Sequence, residues 1–347
     1  MRIVHIVWEL GTGGVETMLV DVVNEQIKSE TVAIAVVNQR IEESLVGQID
    51  NRCVIKLCNR KRGSRSLLPW IRLNTFLLTW RPDIIHFHLE GMRKLVFYPA
   101  PKVFTIHNIH TSGQEYSSYK ALFAISEGVR RYTERQGYNA ITVWNGIDSK
   151  AIFIKKGNYY KKDSFCKIVC VGRLYTPHKG QDILIESLSL LKRQGIDNFH
   201  LYLIGEGESR NQIESLIERY AMKDKVTMMG QRDRKYIYQH LCDYDLFVLP
   251  SRSEGFGLSV AEAMCAKVPV IVCDLESTKD VVDYGRYGRL FETGNKDSLA
   301  KQIEDFLCSD VDTDLIEKAL TFARDNFDIK NTASRYIEEY KKVLYET

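Results

Sequence analysis

Asp245-Leu-Phe-Val-Leu249-Pro250-Ser-Arg-Ser-Glu254-Gly255-Phe256-Gly257-Leu258-Ser-Val-Ala-Glu262-Ala263-Met264 reads as a buried strand, a glycine-containing turn and the start of a helix. The apolar run ending at Leu249 is short and unbroken, as expected for a parallel strand covered on both faces. Gly255 and Gly257 let the chain turn tightly and present backbone amides, and a helix beginning near Gly257 adds its positive dipole end. Such a turn at the carboxyl end of a parallel strand is where an open α/β sheet holds an anionic ligand. Glu262, just over a turn into the helix, suits two vicinal hydroxyls, because an ionised carboxylate only accepts hydrogen bonds. Glu254 precedes the helix and is expected to face a cleft. A negative charge beside an anion site has no obvious stabilising purpose, so Glu254 is better matched to the hydroxyls of a sugar.

Outward from this stretch the same rhythm recurs. Strand patterns at 167–172, 200–204, 225–229, 268–273 and 288–291 alternate with helical patterns near 180–194, 209–221, 233–241, 257–265 and 295–307. In the first half, strand patterns at 2–7, 31–37, 54–57, 83–88, 102–106, 121–125 and 141–144 are separated by helical patterns or short loops. Alternation of this kind predicts α/β architecture with mainly parallel sheets. A chain of 347 residues is too long for one ordinary core and predicts two Rossmann-like, doubly wound domains facing a central cleft. The charged segment 155–164, KKGNYYKKDS, reads as a linker or exposed loop. The expected domains are 1–149, joined by a C-terminal helix over 330–347, and 150–329.

Bulk properties exclude several classes. With 44% hydrophobic and 27% charged residues the chain is a folded one. Its eight cysteines form no CxxC pair or zinc spacing, and several sit in apolar runs, which predicts buried reduced thiols and no metal site. The opening MRIVHIVWEL lacks the features of a secretory leader, and no apolar run is long enough to span a bilayer, so a cytoplasmic protein, at most peripheral on a membrane, is expected. The net charge of +3 gives no reason to expect a nucleic-acid partner; residues 1–149 hold 18 Lys and Arg against 14 Asp and Glu, with a cluster at Arg60, Lys61, Arg62 and Arg65.

Two further glycine turns matter. Gly11-Thr-Gly13-Gly14-Val-Glu16 follows the first strand, but its sixth position is Glu16, and no acid ends the second strand to hold a ribose. A dinucleotide-dependent dehydrogenase is therefore disfavoured, while Gly13 and Gly14 still let backbone amides approach a phosphate or a sugar. In the second half Gly172-Arg173-Leu174 leaves a buried strand and Lys179-Gly180 opens the next helix. A forked guanidinium and a mobile ammonium beside a helix start suit a diphosphate.

Glu254-GFGLSVA-Glu262, Gly172-Arg173 with Lys179-Gly180, Ile204-Gly205-Glu206-Gly207 and Asn145-Gly146-Ile147-Asp148 occur in an order that resembles the retaining nucleotide-sugar glycosyltransferases of family 4, with the GT-B fold. The resemblance runs from Gly13-Gly14 to the tail around Tyr336 and Leu344. It implies that Arg173 and Lys179 bind the diphosphate with Gly172 and the amides of Gly255, Phe256, Gly257 and Leu258. Glu262 would hold the ribose, Glu254 the donor sugar, and the strand end at Met228, Met229 and Gly230 would meet the base, with Gly205 nearby. Gly13 and Gly14 would approach donor or acceptor, and His107 matches a histidine that contacts the donor sugar. On this reading His107, Glu254, Arg173 and Lys179 carry the reaction, with a nucleotide-diphosphate sugar as co-substrate and no cofactor or metal. The chain departs from the family at Lys267, where Gly is common, and at Leu275-Glu276-Ser277 and Asp280 in place of a Gly-Gly pair followed by Glu. These positions lie past the diphosphate loop and bear on sugar preference.

His86 and His88 alternate on one strand, but no third metal ligand has an evident place, so locally hydrogen-bonded histidines are expected. With no pair of carboxylates to act as acid and nucleophile, front-face displacement is expected, in which the leaving diphosphate helps to deprotonate the acceptor. The acceptor, a glycan or lipid-linked glycan, is expected to meet the first domain. There the segment 59–81, NRKRGSRSLLPWIRLNTFLLTWR, reads either as a surface for anionic membrane or as a core-packed helix after a solvated basic loop. A nucleotide-sugar epimerase and a non-catalytic sugar-nucleotide-binding subunit are the alternatives.

Overall fold

The computed structural model describes residues 1–11, 13–109, 113, 115–162 and 164–345, so the last two residues of the expected 330–347 helix lie outside the described residues. The chain divides into two compact units, Met1–Ile147 with Phe327–Thr347, and Asp148–Asn326.

The first unit is built from β1 (Arg2–Val7), α1 (Gly14–Gln26), β2 (Thr31–Asn38), α2 (Glu43–Val46), β3 (Val54–Arg60), α3 (Leu68–Trp80), β4 (Ile84–Phe87), β5 (Lys102–Ile106), β6 (Ala121–Ala124), α4 (Glu127–Arg135) and β7 (Ile141–Thr142). Its described strands run parallel in the order β3-β2-β1-β4-β5-β6-β7. Seven successive residues of β2 are buried, and five of β1. Both faces of these strands are covered, which is why their sequences are continuous in Val, Ile and Ala rather than alternating. β3 lies at the edge, where one side meets solvent. It therefore tolerates Lys56 and Arg60 and runs three residues beyond the expected 54–57.

The second unit contains β8 (Cys166–Val171), α5 (Thr176–Lys179), α6 (Gln181–Arg193), β9 (Phe199–Ile204), α7 (Arg210–Arg219), β10 (Val226–Gly230), α8 (Arg234–His240), β11 (Leu246–Leu249), α9 (Leu258–Cys265), β12 (Val270–Cys273), α10 (Glu276–Val281), β13 (Arg289–Phe291), α11 (Lys296–Leu307) and α12 (Thr313–Phe327). The described strands are parallel, in the order β10-β9-β8-β11-β12-β13. α12 is not among the helices expected above. Its buried positions Ile316, Ala319, Leu320, Ala323 and Phe327 follow helical spacing, but two are alanines that weigh little in an apolar count.

The described residues of the segment 155–164 form an exposed loop rather than a linker between units, anchored at two points. Lys155 is buried and its Nζ donates to Tyr244 O and Asp245 Oδ1, both at 2.8 Å. The Tyr160 hydroxyl donates to Leu307 O at 2.8 Å while its ring stacks on Phe306. A paired lysine and an aromatic anchor thus hold a charged stretch against the second unit, and the division falls earlier, between Ile147 and Asp148. The chain leaves the second unit through α12 and returns to the first through α13 (Ile329–Tyr345). Ile147 N donates to Phe327 O at 2.8 Å and Ile329 N to Ile147 O at 2.9 Å. Tyr336 and Tyr340 of α13 are fully buried against His86 and Phe123.

Candidate functional site

In the second unit the strand order reverses between β8 and β11. The chain leaves these neighbouring strands in opposite lateral directions, which opens a crevice at their carboxyl ends. The segments bordering it are 172–180 and 250–257, the two stretches that the sequence singles out. They are fastened to each other. Gly180 has φ 63°, and a Cβ there would run into the Pro250 carbonyl, so only glycine allows α6 to start this close to the end of β11. Arg252 N and Ser253 N donate to His178 O at 2.7 and 3.1 Å. The Arg252 guanidinium forks onto both carboxylate oxygens of Asp182 at 2.7 Å and also reaches Thr176 O at 2.7 Å. Sequence reasoning passed over Arg252 and Asp182; the available signal was an acid in the first turn after Lys179-Gly180 and an arginine inside the glycine loop. Gly205 serves the same end from β9. A Cβ at this position would collide with the Gly172 carbonyl, and Gly172 N and Leu174 N donate to Ile204 O and Glu206 O at 2.9 and 3.0 Å.

The central charged pair is Lys179 and Glu254, with Nζ 2.6 Å from Oε2 and side chains 30% and 15% exposed. Desolvation opposes the charge on Lys179, and the adjacent Glu254 carboxylate more than offsets it, so the ammonium titrates above the ordinary lysine value. Ser251 Oγ donates to Glu254 Oε2 at 3.4 Å, and Ser277 Oγ holds the Glu254 carbonyl at 2.6 Å. Glu254 therefore has an electrostatic partner in the structure, Lys179, whose charge it balances. Arg173 points elsewhere: its side chain is 64% exposed and paired with Glu208.

Gly257, with φ 103°, precedes α9; Leu258 is the first residue of that helix and Glu262 its fifth. The Phe256 ring is buried in the interior of the unit. Met228 also packs against the core of the unit, and Met229 sits at a shift in register between β10 and β9. The side chain of Met228 is thus committed to packing.

The first unit reverses its strand order between β1 and β4. Gly13 caps α1, Gly14 is its first residue, and the Glu16 carboxylate folds back against Gly13. Burial raises the Glu16 carboxyl, with Glu9 adding to the rise. A carboxylate over this helix start favours a hydroxyl ligand over a phosphate. His86 accepts or donates with Tyr340 Oη at 2.6 Å through Nδ1 and with Thr105 Oγ1 at 2.7 Å through Nε2. A third imidazole does have a place: β1 pairs with β4 so that His5 lies opposite His86, and the nearest ring nitrogens of His5, His86 and His88 lie within 4.8 Å of one another. All six of those nitrogens have hydrogen-bond partners: His5 and His88 bond to each other in a cluster, while His86 bonds to Tyr340 and Thr105. His107 follows β5 and joins this cluster through His88; burial pulls it down to about 3.

Of the two readings of 59–81, the core-packed helix is present, and one face of it remains apolar and exposed. α3 buries Trp70, Leu73, Leu77 and Trp80, while Leu67, Leu68, Ile71 and Leu78 are at least half exposed. Among the described residues no helix is long and apolar enough to cross a membrane.

Residues 12–151 match the model for Glycosyltransferase Family 4 and residues 152–321 the model for Glycosyl transferases group 1. The chain belongs to this glycosyltransferase family. Similar family proteins include a putative colanic acid biosynthesis glycosyltransferase of Salmonella typhimurium, 30% identical over 46% of this chain and 40% of that protein. Another is the phosphatidyl-myo-inositol mannosyltransferase of Mycobacterium leprae, 24% identical over 78% of this chain and 76% of that one. The match therefore spans under half the length of the Salmonella protein and three quarters of the mycobacterial one. The fold matches that of the Anabaena protein HepE, crystallised with UDP and glucose, with a TM-score of 0.78 at 18% identity, covering 99% of this chain and all of that one. Two Rossmann-like units of this kind make up the GT-B fold of the family.

Proposed function

We propose that the Asp148–Asn326 unit binds a nucleoside-diphosphate sugar and that the chain transfers the sugar, with retention, to a hydroxyl of a glycan or lipid-linked glycan in surface polysaccharide or glycoconjugate synthesis. The observation that carries this reading is the Lys179–Glu254 pair beside the glycine loop, at the point where β8 and β11 diverge. Lys179 is a desolvated cation paired with the Glu254 carboxylate, and the segment 255–258 leads into α9. That combination stabilises a diphosphate and the charge it gains on leaving. Arg173 is free to swing from an exposed ion pair with Glu208, which holds it weakly. On donor binding Lys179 turns to the phosphates and Glu254 is released to the sugar hydroxyls, while Glu262 accepts from the ribose. The base lies by Met229 and the end of β10. The leaving diphosphate takes the acceptor proton as the new glycosidic bond forms on the same face.

Support comes from what similar proteins bind. HepE was crystallised with UDP-glucose, and TarM of Staphylococcus aureus with UDP and alpha-GlcNAc-glycerol. A thermal-shift panel of nucleoside diphosphates and their sugars tests the reading. A donor present at about a hundred times its dissociation constant adds about 2.7 kcal/mol to the stability of the folded state. Absence of a shift with every uridine, guanosine, adenosine and thymidine diphosphate sugar overturns it.

A further inference from the structure

Gln26, the last residue of α1, is completely buried beside His5 of β1. Its Oε1 lies 2.8 Å from His5 Nε2. From there a single file of imidazoles leads outward: His5 Nδ1 is 2.9 Å from His88 Nε2, and His88 Nδ1 is 3.2 Å from His107 Nε2. The file ends at His107 Nδ1, which is buried and has no hydrogen-bond partner among the described residues. Burial pulls His5 down to about 4, His107 to about 3 and His88 well below its ordinary value, so near neutral pH each ring is uncharged. A neutral imidazole has one N–H and one bare nitrogen.

The polarity of the file then follows from its inner end. An amide oxygen only accepts, so His5 holds its proton on Nε2. Its bare Nδ1 accepts from His88 Nε2–H, and the bare Nδ1 of His88 accepts from His107 Nε2–H. His107 is left with its lone pair on Nδ1. Turning the Gln26 amide over would reverse all three bonds and put an N–H at that position instead. As the amide lies, its Nε2 is buried and makes no hydrogen bond among the described residues, so the direction of the file follows from the oxygen that faces His5.

We propose that Gln26 is a positioning residue that acts through His5 and His88 to fix His107 as the Nε2–H tautomer, making Nδ1 an acceptor for a hydroxyl rather than a donor to an anion. A buried acceptor without a donor is destabilising, and a hydroxyl reaching it relieves that cost. That the hydroxyl belongs to a sugar rests on the function proposed above; the tautomer does not.

Two-bond proton–nitrogen NMR correlations of the full chain labelled with 15N-histidine, without ligand at pH 7.5, read the tautomers directly. The expected pattern is Nε2–H for His5, His88 and His107, with His107 assigned by the signal lost in His107→Asn. An Nδ1–H on His107 in the unsubstituted protein overturns the proposal, and this measurement requires no variant to fold. In Gln26→Met, which removes the acceptor three groups away, the His107 signal is expected to move wholly or in part to Nδ1–H, whereas Gln26→Glu retains an acceptor and the original pattern. An unchanged His107 in Gln26→Met also overturns it, as does a stoichiometric metal ion bound to the purified chain through these rings. A failed nucleotide-sugar panel with the tautomers intact refutes the functional reading alone.

Discussion

Acidification should unfold the first unit well before carboxylates titrate. His5, His86, His88 and His107 are buried and neutral, with His5 displaced to about 4 and His107 to about 3, and the other two well below the ordinary 6.5. As pH falls below 6.5 the unfolded chain takes up protons on these rings and the folded chain does not. Their contribution is therefore intact above that value and is lost on the way down towards the folded values. Between pH 7 and 5.5 each ring accounts for about 1.3 kcal/mol, and the four together for about 5 kcal/mol. That is a large share of the 5–15 kcal/mol of an ordinary domain. All four tryptophans, Trp8, Trp70, Trp80 and Trp144, belong to the first unit, so fluorescence excited selectively at tryptophan follows this unit alone. Urea titrations at pH 7.0, 6.0 and 5.5 should show midpoints falling steeply. Carboxylates with depressed values, such as Glu127 and Asp274, lose their contribution only at lower pH. Equal midpoints at pH 7.0 and 5.5, with the loss confined to pH below about 4, would refute the neutral cluster.

The second unit allows three further checks. Lys179→Met should cost about 1–3 kcal/mol in urea, because it leaves Glu254 unpaired in a half-buried place, and Glu254→Gln should cost a similar amount; the double variant should recover much of this. Additive losses would show that the two groups do not interact. Lys179→Ala should lower turnover at least about a hundredfold on an active donor and acceptor, as removal of a major charge-stabilising group does, and unchanged turnover would remove Lys179 from the reaction. Gly180→Ala should destabilise by about 2–5 kcal/mol through left-handed strain plus overlap with the Pro250 carbonyl. Gly195→Ala, at φ 86° with no neighbour within 4 Å, carries the strain alone and is the control; equal losses would deny the close approach. For α3, binding to anionic vesicles that is abolished by Leu68→Ser with Ile71→Ser is expected if its exposed face meets a membrane, and co-sedimentation that never occurs removes that idea.

What was legible in the sequence was set by how local its cause is. β2 and β12 are read directly because a run such as VAIAVV is stable only when both faces are covered. The glycine loop at 255–257 is equally local, since chain direction and amide exposure are decided by the glycines themselves. The pairing of Lys179 with Glu254 is not local. It depends on β8 and β11 being neighbours, and on Gly180 letting the two loops touch, so the sequence pattern names both residues and misses their relation. The same holds for His5. On its own strand it is an isolated polar residue, and only the register of β1 with β4 brings it to His86 and His88. Segment 155–164 has the composition of a loop and is one, but the anchoring of Lys155 and Tyr160 is not local, since their partners lie 90 and 147 residues away.

The two units use one strand order with opposite electrostatics. Both place their reversal between the first strand and the fourth, β1 with β4 and β8 with β11, and both follow the first strand with a glycine turn. At β8 and β11 the crevice holds formal charge: a lysine kept ionised by Glu254, and amides opening a helix. At β1 and β4 the reversal holds neutral imidazoles, and a carboxylate, Glu16, covers the helix start that a phosphate would need. Burying four ionised histidines side by side would cost far more than a domain can supply, so the imidazoles at that end of the sheet stay neutral. The fold alone does not set this electrostatic contrast, since the backbone plan is shared. The contrast follows from which side chains end the strands: imidazoles at β4 and β5, and the loops carrying Lys179 and Glu254 after β8 and β11. Exchanging a charge into the first crevice, for example His88→Lys, should therefore destabilise its unit by several kcal/mol at pH 7, whereas Glu208→Lys beside exposed Arg173 should change stability by less than about 1 kcal/mol. Comparable losses for both would mean that the contrast in burial between the two crevices is not what separates their chemistry.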